Sequence, residues 1–180
     1  MQEDTYWSNI FKKEKKQADN IYTVLKEIPI FHELDKKELR AVERILHRRT
    51  YKIDEIIFNE TEPGVGMFII QSGKVNVTLG KEKKLLATLG KGDFFGEMAL
   101  LLEGPRTASV TAIEPAVMLG FFQPDLFNLL ETSPHTGNKI LQKLAQMIAE
   151  RLRVTTIENR QLKLKLNEYE QQIEELKKEN

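Results

Sequence analysis

Between Arg48 and Phe122 the chain is cut by glycines and charged turns into short apolar runs, and this rhythm restricts the fold more than any other feature. The runs are Ile56-Ile57-Phe58, Met67-Phe68-Ile69-Ile70, Val75-Asn76-Val77-Thr78-Leu79, Leu85-Leu86-Ala87-Thr88-Leu89, Ser109-Val110-Thr111-Ala112 and Val117-Met118-Leu119-Gly120-Phe121. Glu62-Pro63-Gly64, Ser72-Gly73, Gly80-Lys81 and Gly90-Lys91-Gly92 separate them. Runs of this length are too short for stable helices and rich in β-branched and aromatic residues, so they read as strands. Their recurrence about every ten residues, with one longer gap, predicts an all-β barrel or jelly roll.

Helical patterns flank this segment. Residues 5–28 carry Tyr6, Trp7, Ile10 and Phe11, then Ile21, Leu25 and Ile28, around the lysines 12, 13, 15 and 16. That spacing predicts one or two amphipathic helices docked on their own domain, with the lysines in solvent. Asp35-Lys36-Lys37-Glu38 has capping-box spacing, and Leu39, Val42, Ile45 and Leu46 share one face, so a helix is predicted over Asp35–His47. A short helix is predicted over Pro124–Leu130, and beyond Pro134 there is no proline and a single glycine, Gly137. The expected organisation is an N-terminal amphipathic segment (1–27), a β-roll domain (28–132) and a helical tail (133–180).

Read in heptads, the tail places Leu141, Ile148, Thr155, Leu162, Tyr169 and Leu176 at d and Ala145, Leu152, Asn159, Leu166 and Ile173 at a. An unbroken seam of this kind predicts a coiled coil, and a polar Asn159 at a selects register and oligomer state. In a parallel dimer Glu158 would meet Lys163 and Lys165 would meet Glu170, both pairs opposite in sign. A homodimer through residues 141–176 is the expectation. Ile140, Leu144, Met147 and the stem of Arg151 form a second stripe expected to face the barrel, while Ile157 and Leu164 fall outside the seam.

Composition removes several function classes. Lys+Arg and Asp+Glu both number 27, so there is no global basic footprint for nucleic acid or anionic membrane. With no cysteine in 180 residues, disulfides, thiolate metal sites and cysteine nucleophiles are impossible. His32, His47 and His135 lack metal-ligand spacing, and no metal or cofactor is expected. No apolar run approaches the roughly 18 residues of a membrane span, so the chain reads as cytoplasmic.

The chemistry is concentrated in residues 92–109. A glycine turn opens a one-turn helix from Glu97 to about Leu101, and Gly104-Pro105 delivers Arg106 to the start of a strand. Amide groups at a helix start, a guanidinium fork and the hydroxyl of Thr107 are groups that hold a phosphate. Glu97 has no place in a site for phosphate alone. A carboxylate is, however, the acceptor that a ribose hydroxyl needs, which points to a ligand carrying sugar and phosphate together.

The run Phe95-Gly96-Glu97-Met98-Ala99-Leu100, followed by Pro105-Arg106-Thr107-Ala108, resembles the phosphate-binding cassette of the cyclic-nucleotide-binding domain family. The resemblance extends through Ile28–Leu34 and Met67–Val75 and covers roughly residues 28–156. It implies a β-roll with flanking helices and a cyclic-nucleotide site built on Gly96, Glu97, Met98, Ala99, Arg106, Thr107 and Ala108. At Thr61 family members often have glycine in a turn, and a local loop change is expected there. The stretch Ala149–Thr156 is similar to the dimer helix of the catabolite-activator branch, which implies adenine contacts from Thr155 and Thr156, and Arg151 is similar in place to a base-capping arginine of the channel branch. Cyclic AMP is therefore expected over cyclic GMP.

Activator-branch members continue into a helix-turn-helix. None is visible in these 180 residues, so no nucleic-acid partner is expected and the protein partner is unnamed. The absence of a kinase glycine loop, a nucleophile elbow or a catalytic carboxylate pair favours a binding module over an enzyme. The competing reading is a dimeric interaction scaffold of the same fold whose pocket is nucleotide-free or takes another anion. A sensory piece of a longer regulator also remains open.

Overall fold

The apolar runs between Arg48 and Phe122 become strands, and the structure adds four that periodicity alone does not mark. The computed structural model describes residues 21–179. The strands are β1 (His47–Tyr51), β2 (Ile56–Phe58), β3 (Pro63–Gly64), β4 (Gly66–Ser72), β5 (Val75–Leu79), β6 (Lys84–Leu89), β7 (Phe94–Phe95), β8 (Gly104–Pro105), β9 (Ser109–Ala112) and β10 (Ala116–Phe122). All pairings are antiparallel, in one sheet ordered β1-β10-β4-β7, a second ordered β2-β9-β5-β6, and a two-stranded β3-β8 ribbon. The predicted segment at Tyr6–Phe11 lies outside the described residues.

The two larger sheets share one core. Tyr51, Ile70, Phe95 and Met118 from the first meet Val75, Val110 and Ala112 from the second, with Phe58, Phe68 and Val77 packed at its margin. β4 is buried along nearly its whole length because it is covered on both faces. Side chains alternate along a strand, so with Ile70 in the inter-sheet core, Met67 and Ile69 occupy the opposite face. The helices supply buried apolar side chains of their own: Val24 and Leu25 from α1 (residues 21–27), Leu39 and Val42 from α2 (Lys36–Ile45), Leu126 and Leu129 from α3 (Gln123–Thr132). Phe31, in a 3-10 turn over Pro29–Phe31, meets Phe121 of β10 edge-on with ring centres 5.8 Å apart.

α2 starts where predicted. Asp35 Oδ1 accepts the amides of Lys37 and Glu38 at 2.7 and 2.9 Å, and Glu38 returns a carboxylate oxygen to the Asp35 amide at 2.8 Å. Its end differs from the predicted Asp35–His47 span: the helix stops at Ile45, because His47–Tyr51 is drawn into pairing with β10, from His47 opposite Gly120 to Tyr51 opposite Ala116. The far side of Glu38 is tied to the first turns of α4 (Pro134–Glu179), where Lys139 Nζ donates to both carboxylate oxygens at 2.9 Å.

The chain divides into two units, Met1–Leu141 and Gln142–Asn180, and the second consists of the remainder of α4. Within it the a and d residues Leu152, Leu162, Leu166 and Tyr169 are 56–66% exposed, leaving an apolar seam on the surface of this helix. No helix among the described residues is long and apolar enough to cross a membrane.

Candidate functional site

Gly96 ends β7's excursion and adopts φ 78°, a left-handed conformation open to glycine at little cost. The 3-10 turn Glu97–Leu100 follows, with the Ala99 amide donating to the Gly96 carbonyl at 3.2 Å. A Cβ at position 96 would lie 2.6 Å from Arg106 Nη1, so close approach to the arginine also demands glycine there. On the neighbouring ribbon, a Cβ on Gly64 would come within 2.9 Å of the Ala99 Cβ and 3.4 Å of Arg106 Cδ. Small residues thus let three backbone segments converge on one side chain.

That side chain is Arg106. Its backbone is clamped between two residues of the 59–64 turn: the Arg106 amide donates to the Glu62 carbonyl at 2.7 Å, and the Thr61 amide donates to the Arg106 carbonyl at 2.9 Å. Its Nη1 donates to the Gly66 carbonyl at 2.8 Å and, at a longer 3.4 Å, to that of Gly96. Arg106 Cζ lies 4.1 Å from the centre of the Phe58 ring and 5.9 Å from that of Phe68. The residue is only 8% exposed, and its Nε, fully buried, has no hydrogen-bond partner among the described residues. Burial pushes the guanidinium pKa below its ordinary value, with the Glu62 charge opposing the shift.

The side-chain hydrogen bonds of Arg106 found among the described residues go to backbone carbonyls. A buried cation with an unsatisfied donor is an expensive feature unless something else meets it. An anion with several acceptor oxygens fits the need.

Glu97 is 5% exposed and follows Gly96 directly, while Met98 turns outward at 42% exposure. Thr107 is exposed and Ala108 half-buried, in the bend between β8 and β9. The structure therefore gathers Gly96, Ala99 and Arg106 into one cluster, with Glu97, Thr107 and Ala108 adjacent to it in the chain. Arg151, Thr155 and Thr156 lie on α4 in the second unit. Arg151 and Thr155 line one open groove of about 520 Å³ along the helix, whereas the Thr156 hydroxyl donates to the Leu152 carbonyl at 2.7 Å.

Thr61 sits in the turn where a local loop change is expected, and it carries a left-handed backbone. The threonine itself takes φ 72°, the conformation a glycine would adopt, and keeps the hydrogen bond to Arg106. Phe58, Glu62 and Gly66 were not among the residues singled out by sequence. Gly66 carried a signal in being a glycine inside an apolar run, a mark of close backbone approach: a Cβ there would lie 2.4 Å from the Phe121 carbonyl oxygen.

Comparison with known proteins bears on this cluster. Residues 48–133 match the family model of the cyclic nucleotide-binding domain. Over 137 residues the chain is 35% identical to the cyclic AMP receptor protein of Thermus thermophilus, covering 74% of this chain and 62% of that protein. The crystal structure of the Thermus thermophilus catabolite activator protein superposes with a TM-score of 0.66 at 34% identity, over 74% of this chain and 62% of that one. The regulatory domain of Toxoplasma gondii PKA, in co-crystals with cAMP, gives 0.59 at 26% identity, over 63% of this chain and 44% of that one. The chain spans less than two thirds of the length of the curated relatives compared first.

Proposed function

We propose that this chain, whose residues 48–133 form a cyclic nucleotide-binding domain, is a cyclic-nucleotide receptor that acts as a binding module and not as an enzyme. The observation that carries the reading is Arg106: a buried guanidinium with an unpartnered Nε, held where Gly96 opens the Glu97–Leu100 turn. The cyclic phosphate would meet Arg106 and the adjoining backbone of Gly96–Ala99, and the ribose hydroxyl would be accepted by Glu97. Met98, Thr107 and Ala108 complete the binding segment, with Thr107 offering a hydroxyl donor.

Cyclic AMP is the favoured ligand. Two relatives support this, one named a cyclic AMP receptor protein and one solved with cAMP, together with the hydroxyls of Thr155 and Thr156 and the guanidinium of Arg151 as base contacts. The tail acts as a homodimer seam through 141–176, with Asn159 setting register, and the receptor works in the cytoplasm. Supporting the seam is the row of exposed a and d side chains from Leu152 to Tyr169.

Titration calorimetry of the full chain with cyclic AMP and with cyclic GMP tests the reading. Binding of both, tighter for cyclic AMP, is expected. No heat with either nucleotide at millimolar concentration would remove it in favour of the scaffold with a different-anion or nucleotide-free pocket.

A further inference from the structure

The way Arg106 is held goes beyond its contact with a ligand. A buried arginine is commonly stabilised by a carboxylate, which neutralises the charge and occupies N–H donors in a fork. Here the side-chain bonds found among the described residues are two carbonyl contacts, both from Nη1. Much of the remaining surroundings are aromatic. Phe58, Phe68 and Phe95 form a triangle with ring centres 5.7–6.0 Å apart, and Arg106 Cζ sits 4.1 Å from the centre of Phe58 at one corner of it. The stem of the arginine is confined against Gly64, where a Cβ would come within 3.4 Å of both Cδ and Nε.

We propose that Phe58 is the positioning residue for the ligand-binding arginine, its ring face supporting the Arg106 guanidinium while leaving the guanidinium edge for an anion. The inference rests on the reading of Arg106 as the phosphate contact. An aromatic face attracts a cation through its quadrupole and consumes no N–H donor. A carboxylate in the same place would hold the arginine equally well but would compete with the phosphate for its charge. Phe58 therefore reduces the cost of burying the cation without neutralising it. Phe58 comes from β2, and its neighbours Phe68 and Phe95 from β4 and β7 hold the ring in turn, so the support is anchored in both sheets.

The test compares Phe58→Leu, which keeps an apolar side chain and removes the ring, with Phe58→Tyr, which keeps the ring face. Phe58→Leu is expected to weaken cyclic AMP and cyclic GMP by the same factor, roughly 10-fold, because the phosphate is common to both. Phe58→Tyr is expected to retain wild-type affinity. A second readout needs no nucleotide. In the wild-type chain the Arg106 side-chain resonances, Hε above all, are expected upfield of ordinary arginine values because the guanidinium carbon lies over the ring, and the shift should persist in Phe58→Tyr and be largely lost in Phe58→Leu, where only the more distant Phe68 ring remains. If wild type binds neither nucleotide, the receptor reading falls while the NMR comparison still judges whether Phe58 holds Arg106. If wild type binds but Phe58→Leu binds within 2-fold of it, or if Phe58→Tyr loses as much as Phe58→Leu, the positioning role is overturned. Arginine resonances at ordinary positions in the wild-type chain would overturn it as well.

Discussion

Thr61 donates its amide to the Arg106 carbonyl at 2.9 Å from a backbone twisted to φ 72°. A β-branched residue at positive φ is strained, at about 1–2 kcal/mol for an L side chain in the left-handed region. Replacing it by glycine relieves that strain but adds about 0.5–1 kcal/mol of unfolded-state entropy to be lost on folding. The relief exceeds the loss, so Thr61→Gly is expected to stabilise the fold by about 0.5–1 kcal/mol, a rise of roughly 1–4 °C in Tm. Nucleotide affinity should stay near wild type because the hydrogen bond is a backbone one. A lower melting temperature in Thr61→Gly would show that the threonine side chain contributes more than its backbone strain costs.

Arg106 should behave oppositely in stability and in binding. Burial already lowers its pKa, so the folded state disfavours the charge that the site requires. Arg106→Met is expected to cost roughly 100-fold or more in cyclic-nucleotide affinity, about 3 kcal/mol of charge-assisted hydrogen bonding, while leaving the melting temperature of the ligand-free chain unchanged or higher. Glu97→Ala should cost less, roughly 10-fold, since a neutral hydroxyl loses its acceptor rather than a charge its counter-charge. Equal losses in the two variants would contradict the assignment of phosphate to Arg106.

The carboxylate pair at the start of α2 sets an acid limit on stability. Burial of Glu38 works against its charged form, yet the Asp35 amide and the Lys139 ammonium outweigh it and hold the carboxyl below its ordinary value. Asp35 is also lowered, through the amides of Glu38 and Lys37. Groups with depressed folded pKa values bind fewer protons folded than unfolded. Their contribution is therefore complete above roughly pH 5 and drains as pH falls through the folded values. Glu38→Gln is expected to destabilise the chain at pH 7 by on the order of 1.5 kcal/mol, toward the low end for charge-assisted bonds because Lys139 keeps 29% of its side chain in solvent. Thermal melts should show the gap to wild type narrowing below about pH 4. A gap that is constant from pH 7 to pH 3.5 would mean that packing, not charge, is lost.

These expectations draw on residues of unequal visibility in the sequence. The capping box at Asp35 and Glu38 and the six apolar strands are local patterns, and each is where its spacing placed it. β1 was hidden because His47-Arg48-Arg49-Thr50 is exposed along its length and shows no alternation; its strand character comes from β10 beside it. The two-residue ladders Pro63–Gly64 with Gly104–Pro105 and Phe94–Phe95 with β4 are too short for any periodicity to register. Glu97 and Arg106 stand out in the sequence through their chemistry as candidates for a sugar and a phosphate, and both are buried in the fold. Phe58 under the guanidinium does not stand out, because only the pairing of β2 with β9, the strand that follows Arg106, brings an ordinary core phenylalanine to that face.

If Arg151, Thr155 and Thr156 contact the base, the residues that touch ligand share a helix with the seam residues Leu152, Asn159 and Leu162. Ligand binding must then bias that helix, to an extent set by the difference in affinity between its states. A coupling on the order of 1–3 kcal/mol is expected, and hydrogen exchange should report it as nucleotide-dependent protection in residues 145–165 as well as in the cassette at 92–110. Thr155→Ala with Thr156→Ala should erode both the tail protection and the preference for cyclic AMP, because the same hydroxyls are assigned to both. Protection confined to residues 92–110, with the tail exchanging as in the ligand-free chain, would leave a receptor that binds without signalling through this helix.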